Sequence, residues 1–154
     1  MTTCMERPTE QFSTFSMIAD SSGLVSLVTK TDRNHAAAVF ASQRLTDNHS
    51  VILVPGDIFT ETINVLGKKS GHEVARQTAA QLLDDDEAFI VAEANEEIRR
   101  SAFTHFEQQP ASVGFADCLV MAFADYYGVR DIFGFDEVFA NNGYHSLLKR
   151  QQAS

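Results

Sequence analysis

Residues 51–66 read VILVPGDIFTETINVL. The run Val51-Ile52-Leu53-Val54 is short and wholly apolar, which marks a buried strand, and Pro55-Gly56 closes it. Asp57 stands where a helix N-cap belongs, and Ile58, Ile63, Val65 and Leu66 space the helix that follows towards Lys68-Lys69. A buried strand running straight into a helix is the unit from which parallel sheets are built, because parallel strands need crossover connections.

The same unit recurs on both sides. Upstream, Met17-Ile18-Ala19 is a short apolar run that ends at Asp20-Ser21-Ser22-Gly23, a strand feeding a turn. Asp32 is placed to cap a helix through Ala36–Ala38, Phe40, Ala41 and Leu45. Downstream, Gly71 separates the first helix from a second, Glu73 to Leu83, and Asp84–Glu87 forms a solvated acidic corner. Phe89-Ile90-Val91 is a third strand. Asn95 opens another helix, with Glu96 and Glu97 at its N-terminal dipole end. A nearly all-apolar helix follows from Gly114 to Tyr127, ended by Gly128. Ile132-Phe133 is a fourth strand leading to Gly134-Phe135-Asp136. A helical turn with Val138-Phe139 comes next, then a final strand from His145 to Lys149. The expected fold is α/β, a parallel-sheet α/β/α sandwich, over residues 17–150. Residues 1–16 hold Pro8 and several Ser/Thr without periodicity and read as a poorly ordered lead-in.

With 154 residues, one domain is expected. Twelve Lys+Arg against 21 Asp+Glu leave a net charge of −9, which argues against general adhesion to nucleic acid or anionic lipid. An enzyme of nucleic acids remains compatible if bound cations mask its acidic site. No apolar stretch reaches the ~18 residues of a membrane span, and no signal-peptide core precedes Ser16. Two cysteines, Cys4 and Cys118, make neither a disulfide framework nor a zinc knuckle, and a reduced cytoplasmic setting is expected. Cys118 reads as a small buried hydrophobe.

Sites in such sheets form where strands deliver their C-terminal ends. Asp20 follows the first strand and Asp136 the fourth, so parallel strands bring both to one edge. Glu61 lies one turn into the helix after the second strand. Asp117 lies one turn into the apolar helix, between Phe115-Ala116 and Cys118-Leu119, where an unpaired carboxylate is strongly unfavourable. Protonating a whole group of converging acids needs several pKa values to rise by roughly 3 units each. Divalent ions are the better solution, and an oxygen-rich acidic site favours magnesium or manganese. Taken singly, Asp20 reads equally as a turn residue, Glu61 as an exposed helix position and Asp136 as a helix cap. Asp125 sits about 12 Å further along its helix and cannot join them. Asp131 and Glu137 are exposed element ends, and the five histidines show no metal-ligand spacing.

Ile18-Ala19-Asp20-Ser21-Ser22 and Thr60-Glu61-Thr62-Ile63-Asn64-Val65-Leu66 resemble the first two motifs of PIN domains. Gly114-Phe115-Ala116-Asp117-Cys118-Leu119, through Tyr127-Gly128-Val129 to Phe135-Asp136-Glu137-Val138-Phe139, is similar to the third and fourth. The resemblance spans residues 17–148, and among PIN proteins the small single-domain form looks most like the VapC toxin ribonucleases. It implies a metal-dependent endoribonuclease holding Mg2+ or Mn2+ through Asp20, Glu61, Asp117 and Asp136. Asp20 and Asp117 would be direct ligands, Glu61 and Asp136 would act through water, and Ser21 or Ser22 would orient one. It also implies an RNA substrate, a homodimer and a small antitoxin partner. The chain departs from the pattern at Gly114 and Gly134, where the family commonly has a hydroxyl, which bears on hydrogen bonding around the ligands.

Those two glycines keep a second reading open, a PIN-like module that binds RNA or protein without cleaving it. A phosphoryl-accepting α/β protein fits less well. A receiver needs an Asp after the third strand, where this chain has Ala92-Glu93-Ala94, and a dehalogenase-like enzyme needs an Asp where this chain has Ser22. Lys68, Lys69, Arg99, Arg100 and Arg130 are the candidate RNA-binding cations, each also readable as an ordinary surface charge. So weakly basic a face predicts low RNA affinity that falls further with salt.

Overall fold

A computed structural model describes residues 15–84 and 88–147. Four strands form one sheet in the order β3-β2-β1-β4, with every neighbouring pair parallel. They are β1 (Phe15–Ala19), β2 (Val51–Pro55), β3 (Phe89–Ala92) and β4 (Ile132–Phe133). Seven helices connect and flank them among the described residues: α1 (Ser21–Val28), α2 (His35–Asp47), α3 (Gly56–Ser70), α4 (His72–Leu83), α5 (Glu96–Glu107), α6 (Phe115–Tyr127) and α7 (Glu137–Asn141). Met17, Ile18 and Ala19 in β1 and Ile52, Leu53 and Val54 in β2 are all buried. Since successive strand residues point to opposite faces, both faces are covered, as the α/β/α expectation requires. Along α6, seven consecutive residues, Cys118 to Ala124, are buried, so this helix is a core element. It ends at Gly128, which takes the left-handed conformation (φ 70°).

Several local expectations need correction. Asp20 to Gly23 is not a turn: α1 starts at Ser21, with Asp20 as its N-cap. Gly23 lies inside this helix because the backbone of β4 passes there, and a Cβ at Gly23 would collide with the Phe133 carbonyl oxygen. Asp57 does not cap α3. Pro55 holds the N-cap position, and Asp57 sits in the first turn, 3.6 Å from Arg99. Asp32 precedes the N-cap Asn34 and accepts from its backbone N–H (2.8 Å) and from the Ser26 hydroxyl (3.1 Å). The final strand shrinks to a parallel bridge between Asp131 and His145, and its last residues, 148 and 149, lie outside the described residues. So do residues 1–14 of the expected lead-in and residues 85–87 of the acidic corner; Phe15 and Ser16 belong to β1.

The close approach at Gly23 gives a direct test. Alanine there must push α1 off β4 in a filled core, and overpacking of this kind costs about 1–3 kcal/mol. Gly23→Ala is expected to lower the denaturant midpoint without changing the slope of the transition, which equilibrium unfolding in urea reads.

Candidate active site

The register aligns the strand ends. Ala19 pairs with Phe133, Pro55 with Ala92, and Ile18 with Leu53, so all four strands finish within about a residue of one another along a single edge. Asp20 leaves that edge from β1 and Asp136 from the corner after β4. Glu61 stands on α3, which rises from β2, and Asp117 lies in the first turn of α6.

The four acids differ in depth. Asp20 is 3% exposed. Asp117 is half-buried, not enclosed as its apolar helix suggested, and Glu61 and Asp136 are exposed. Asp20 is therefore the deeply buried carboxyl of the set. Its Oδ2 accepts the Ser22 backbone N–H (3.2 Å) and the Ser22 hydroxyl (2.7 Å), while Oδ1 takes no hydrogen bond from the described residues. Asp136 caps α7 by accepting from the Val138 N–H (3.3 Å). Asp117 takes a hydrogen bond from the Gly114 backbone at the uncapped start of α6. Three of the four acids thus serve helix N-termini as well, a structural role that the sequence suggested for Asp136 alone.

Burial raises the Asp20 pKa to about 6 against the pull of its Ser22 hydrogen bonds, and the charges of Asp136 and Glu61 add to the rise. Asp117 is pushed up to about 7, by burial first and then by the charges of Asp20, Asp136 and Glu61. Asp117 feels the other three acids and Asp20 feels two of them, and among the described residues no Lys or Arg offsets the repulsion. Among the described residues, no three His, Cys, Asp or Glu side chains stand close enough to grip an ion as they lie. The acids share one electric field without forming a closed cage. The donor set is nonetheless the one a hard divalent cation takes: carboxylate oxygens and uncompensated charge, with Glu61 and Asp136 exposed.

Ser22 has a second role. Its hydroxyl accepts the Phe135 backbone N–H (2.9 Å) while donating to Asp20, so one oxygen ties the first carboxylate to the corner that carries Asp136. Gly134 makes room for this. A Cβ there would lie 2.8 Å from the Asp20 Cβ and 3.2 Å from the Ser22 hydroxyl. At Gly114, by contrast, a Cβ would meet nothing within 4 Å, so a side chain is merely missing. Ser22→Ala leaves the Phe135 N–H without its acceptor and Asp20 without its strongest donor. The expected cost is about 1–3 kcal/mol in urea unfolding at neutral pH, together with a further rise of the Asp20 pKa by carboxyl NMR.

Two features lie beyond the sequence-based expectations, although the position of Glu93 directly after β3 is the same strand-end signal that marks Asp20 and Asp136. Glu93 follows β3 at the same edge and lies against Gly56, where a Cβ would collide with its carboxylate. At the far end of α6, Asp125 accepts from the Tyr144 hydroxyl (2.7 Å) and pairs with His105 Nε2 (2.8 Å), while Arg130 lies over the Tyr144 ring at 4.4 Å. This network fastens α5, α6 and the segment after α7, away from the acidic edge. Cys118 is fully buried, as expected, and burial pushes its thiol pKa up.

Comparison with known proteins agrees with this architecture. The PIN domain profile matches residues 17–143. Among solved structures, the chain is similar to VapC20 of Mycobacterium tuberculosis, described as a toxin that cleaves the sarcin–ricin loop. The TM-score is 0.70 and the identity 21%, over 84% of this chain and 96% of that one. No curated protein sequence matches the chain. No helix among the described residues is long and apolar enough to cross a membrane.

Proposed function

The chain belongs to the PIN domain family, and on that premise we propose that it is a metal-dependent endoribonuclease of the VapC toxin type. The observation that carries this reading is the shared field of Asp20, Glu61, Asp117 and Asp136 at one sheet edge, uncompensated by any cation among the described residues. In this reading Asp20 and Asp117 would hold Mg2+ or Mn2+ directly, and Glu61 and Asp136 would act through water. Such an ion would supply, when bound, Lewis acidity to the scissile phosphate and a water acidic enough for in-line attack. Ser22 fixes the Asp20 rotamer, and helices α1, α6 and α7 each present an N-terminus to the charge that gathers there.

The alternative of a PIN-like module without catalysis rested on Gly114 and Gly134. The Ser22 hydroxyl reaches Asp20 from beside Gly134, so that glycine does not leave the carboxylate unsupported. Protein partners fit the reading too, a homodimer and an antitoxin, because apolar side chains stay exposed on α2 (Phe40, 65%) and α5 (Phe103, 53%). Purified protein with labelled RNA and Mn2+ or Mg2+ tests the proposal. Cleavage that vanishes in EDTA and in Asp117→Asn supports it, and metal binding without cleavage establishes the module instead.

A further inference from the structure

A protein of net charge −9 that handles RNA must hold the backbone with few cations, and the structure narrows which ones. Arg100 pairs with Glu96 (2.7 Å) and Arg76 with Glu73 (2.7 Å) at shorter distance than Arg99 with Asp57, and Arg130 lies on Tyr144 and the Gly143 carbonyl (2.7 Å). One face of α3, by contrast, floors a shallow groove of about 530 Å3, made by Asp57, Thr60, Glu61, Asn64, Val65 and Lys68. These residues recur at three- and four-residue steps, so they form one continuous stripe. Glu61, one of the four edge acids, lies within it. Lys68 is about 10 Å beyond Glu61 at 1.5 Å per residue. At the sheet-edge end, Arg99 reaches Asp57 only at 3.6 Å, with half of its side chain exposed, a loose pair that holds little energy. The groove therefore ends in Lys68 on one side and in Asp57, with Arg99 beside it, on the other; Glu61 of the candidate site lies between them, with Thr60 and Asn64 as neutral hydrogen-bonding groups. Lys69, next in sequence, does not line it.

We propose that this groove on α3 is the track for the RNA backbone, with Lys68 and Arg99 binding phosphates that flank the one cleaved beside Glu61. The inference rests on the ribonuclease reading and adds to it the path of the strand. Arg99 trades its loose contact with Asp57 for a phosphate, and Lys68 supplies the second contact on the outer side. Because both contacts are to phosphate, they give affinity without base preference.

The test uses the full chain carrying Asp20→Asn, which keeps RNA intact, and a short fluorescein-labelled single-stranded oligoribonucleotide of mixed sequence. Anisotropy is read across a salt series, and sedimentation reports the assembly state. Lys68→Gln and Arg99→Gln are each expected to weaken binding and to reduce the slope of log K against log salt by about 0.7, while the double variant loses about 1.4. Lys69→Gln is expected to leave affinity and slope unchanged. Equal losses in Lys68→Gln and Lys69→Gln overturn the proposal, since general charge then explains binding. Unchanged slopes with altered sedimentation also overturn it, and make the groove a contact between copies of the chain. The outcome is separable from the catalytic reading. Loss of slope in a protein that never cleaves RNA keeps the track and removes the nuclease, whereas cleavage indifferent to Lys68 and Arg99 does the reverse.

Discussion

Asp20→Asn is expected to abolish RNA cleavage and, in the same protein, to raise the stability of the metal-free fold at neutral pH. The two effects have one cause. Asp20 is 3% exposed, and its carboxyl titrates near pH 6 because burial and neighbouring acids oppose its charge. One pKa unit corresponds to about 1.4 kcal/mol, so holding this group ionised works against the fold by about 3 kcal/mol at pH 7. Asparagine removes the charge and keeps the rest of the local design. Its carbonyl oxygen can still accept from the Ser22 N–H and hydroxyl, and asparagine caps helices as well as aspartate does. Its amide adds donors where the neighbours are carboxylates, so the Asp117 pKa should fall towards the usual range. Under the proposed function, cleavage fails because a direct anionic ligand of the metal is gone. Losing groups that merely support a metal ligand costs about 10–100-fold, so losing the ligand should exceed 100-fold. Thermal melts in EDTA and cleavage assays in Mn2+ read the two halves. A variant that loses stability in EDTA, or that retains cleavage, contradicts the account of Asp20.

Much of this was legible in the sequence because it depends on local signals. β2, β3 and β4 follow from short apolar runs, α5 from Asn95, whose side chain accepts the Ile98 N–H at 2.8 Å, and the end of α6 from Gly128. Once strands are parallel, the acids that follow them must share an edge, so Asp20 and Asp136 were findable from element order alone. What escaped depends on tertiary approach. Gly23 looks like a turn residue, yet it is the point where α1 touches the β4 backbone, and that contact also buries Asp20. The sequence therefore points to depth at Asp117, on the more apolar helix, while Asp20 is the residue enclosed. Asp57 carries the chemistry of a cap but arrives after Gly56 has already begun the helix. The network of His105, Asp125 and Tyr144 joins residues 20 and 39 positions apart, a separation at which no spacing rule operates.

Stability of the metal-free protein should fall as pH rises from about 4 to 7, and a divalent cation should reverse the fall. The sign follows from the direction of the shifts. In the unfolded chain both aspartates lose their protons near pH 4. In the folded protein Asp20 keeps its proton to about 6 and Asp117 to about 7. Between those limits the folded state binds more protons, so raising the pH favours unfolding; below pH 4 and well above pH 7 these two groups contribute no slope. A cation that binds only the folded state adds RT ln(1 + [M]/Kd), about 2.7 kcal/mol at one hundred times Kd. For a chain of this size that is a rise in Tm of roughly 5–10 °C. Because the ligands must be ionised, binding also releases protons, so the gain should shrink as the pH falls below 6 and competition for the carboxylates grows. Melting curves from pH 4 to 8, with EDTA and with Mn2+, contain both effects. A gain from Mn2+ that persists undiminished at pH 5, or that survives in Asp20→Asn, would mean that the ion binds elsewhere, and the edge of the sheet would lose its claim to the metal.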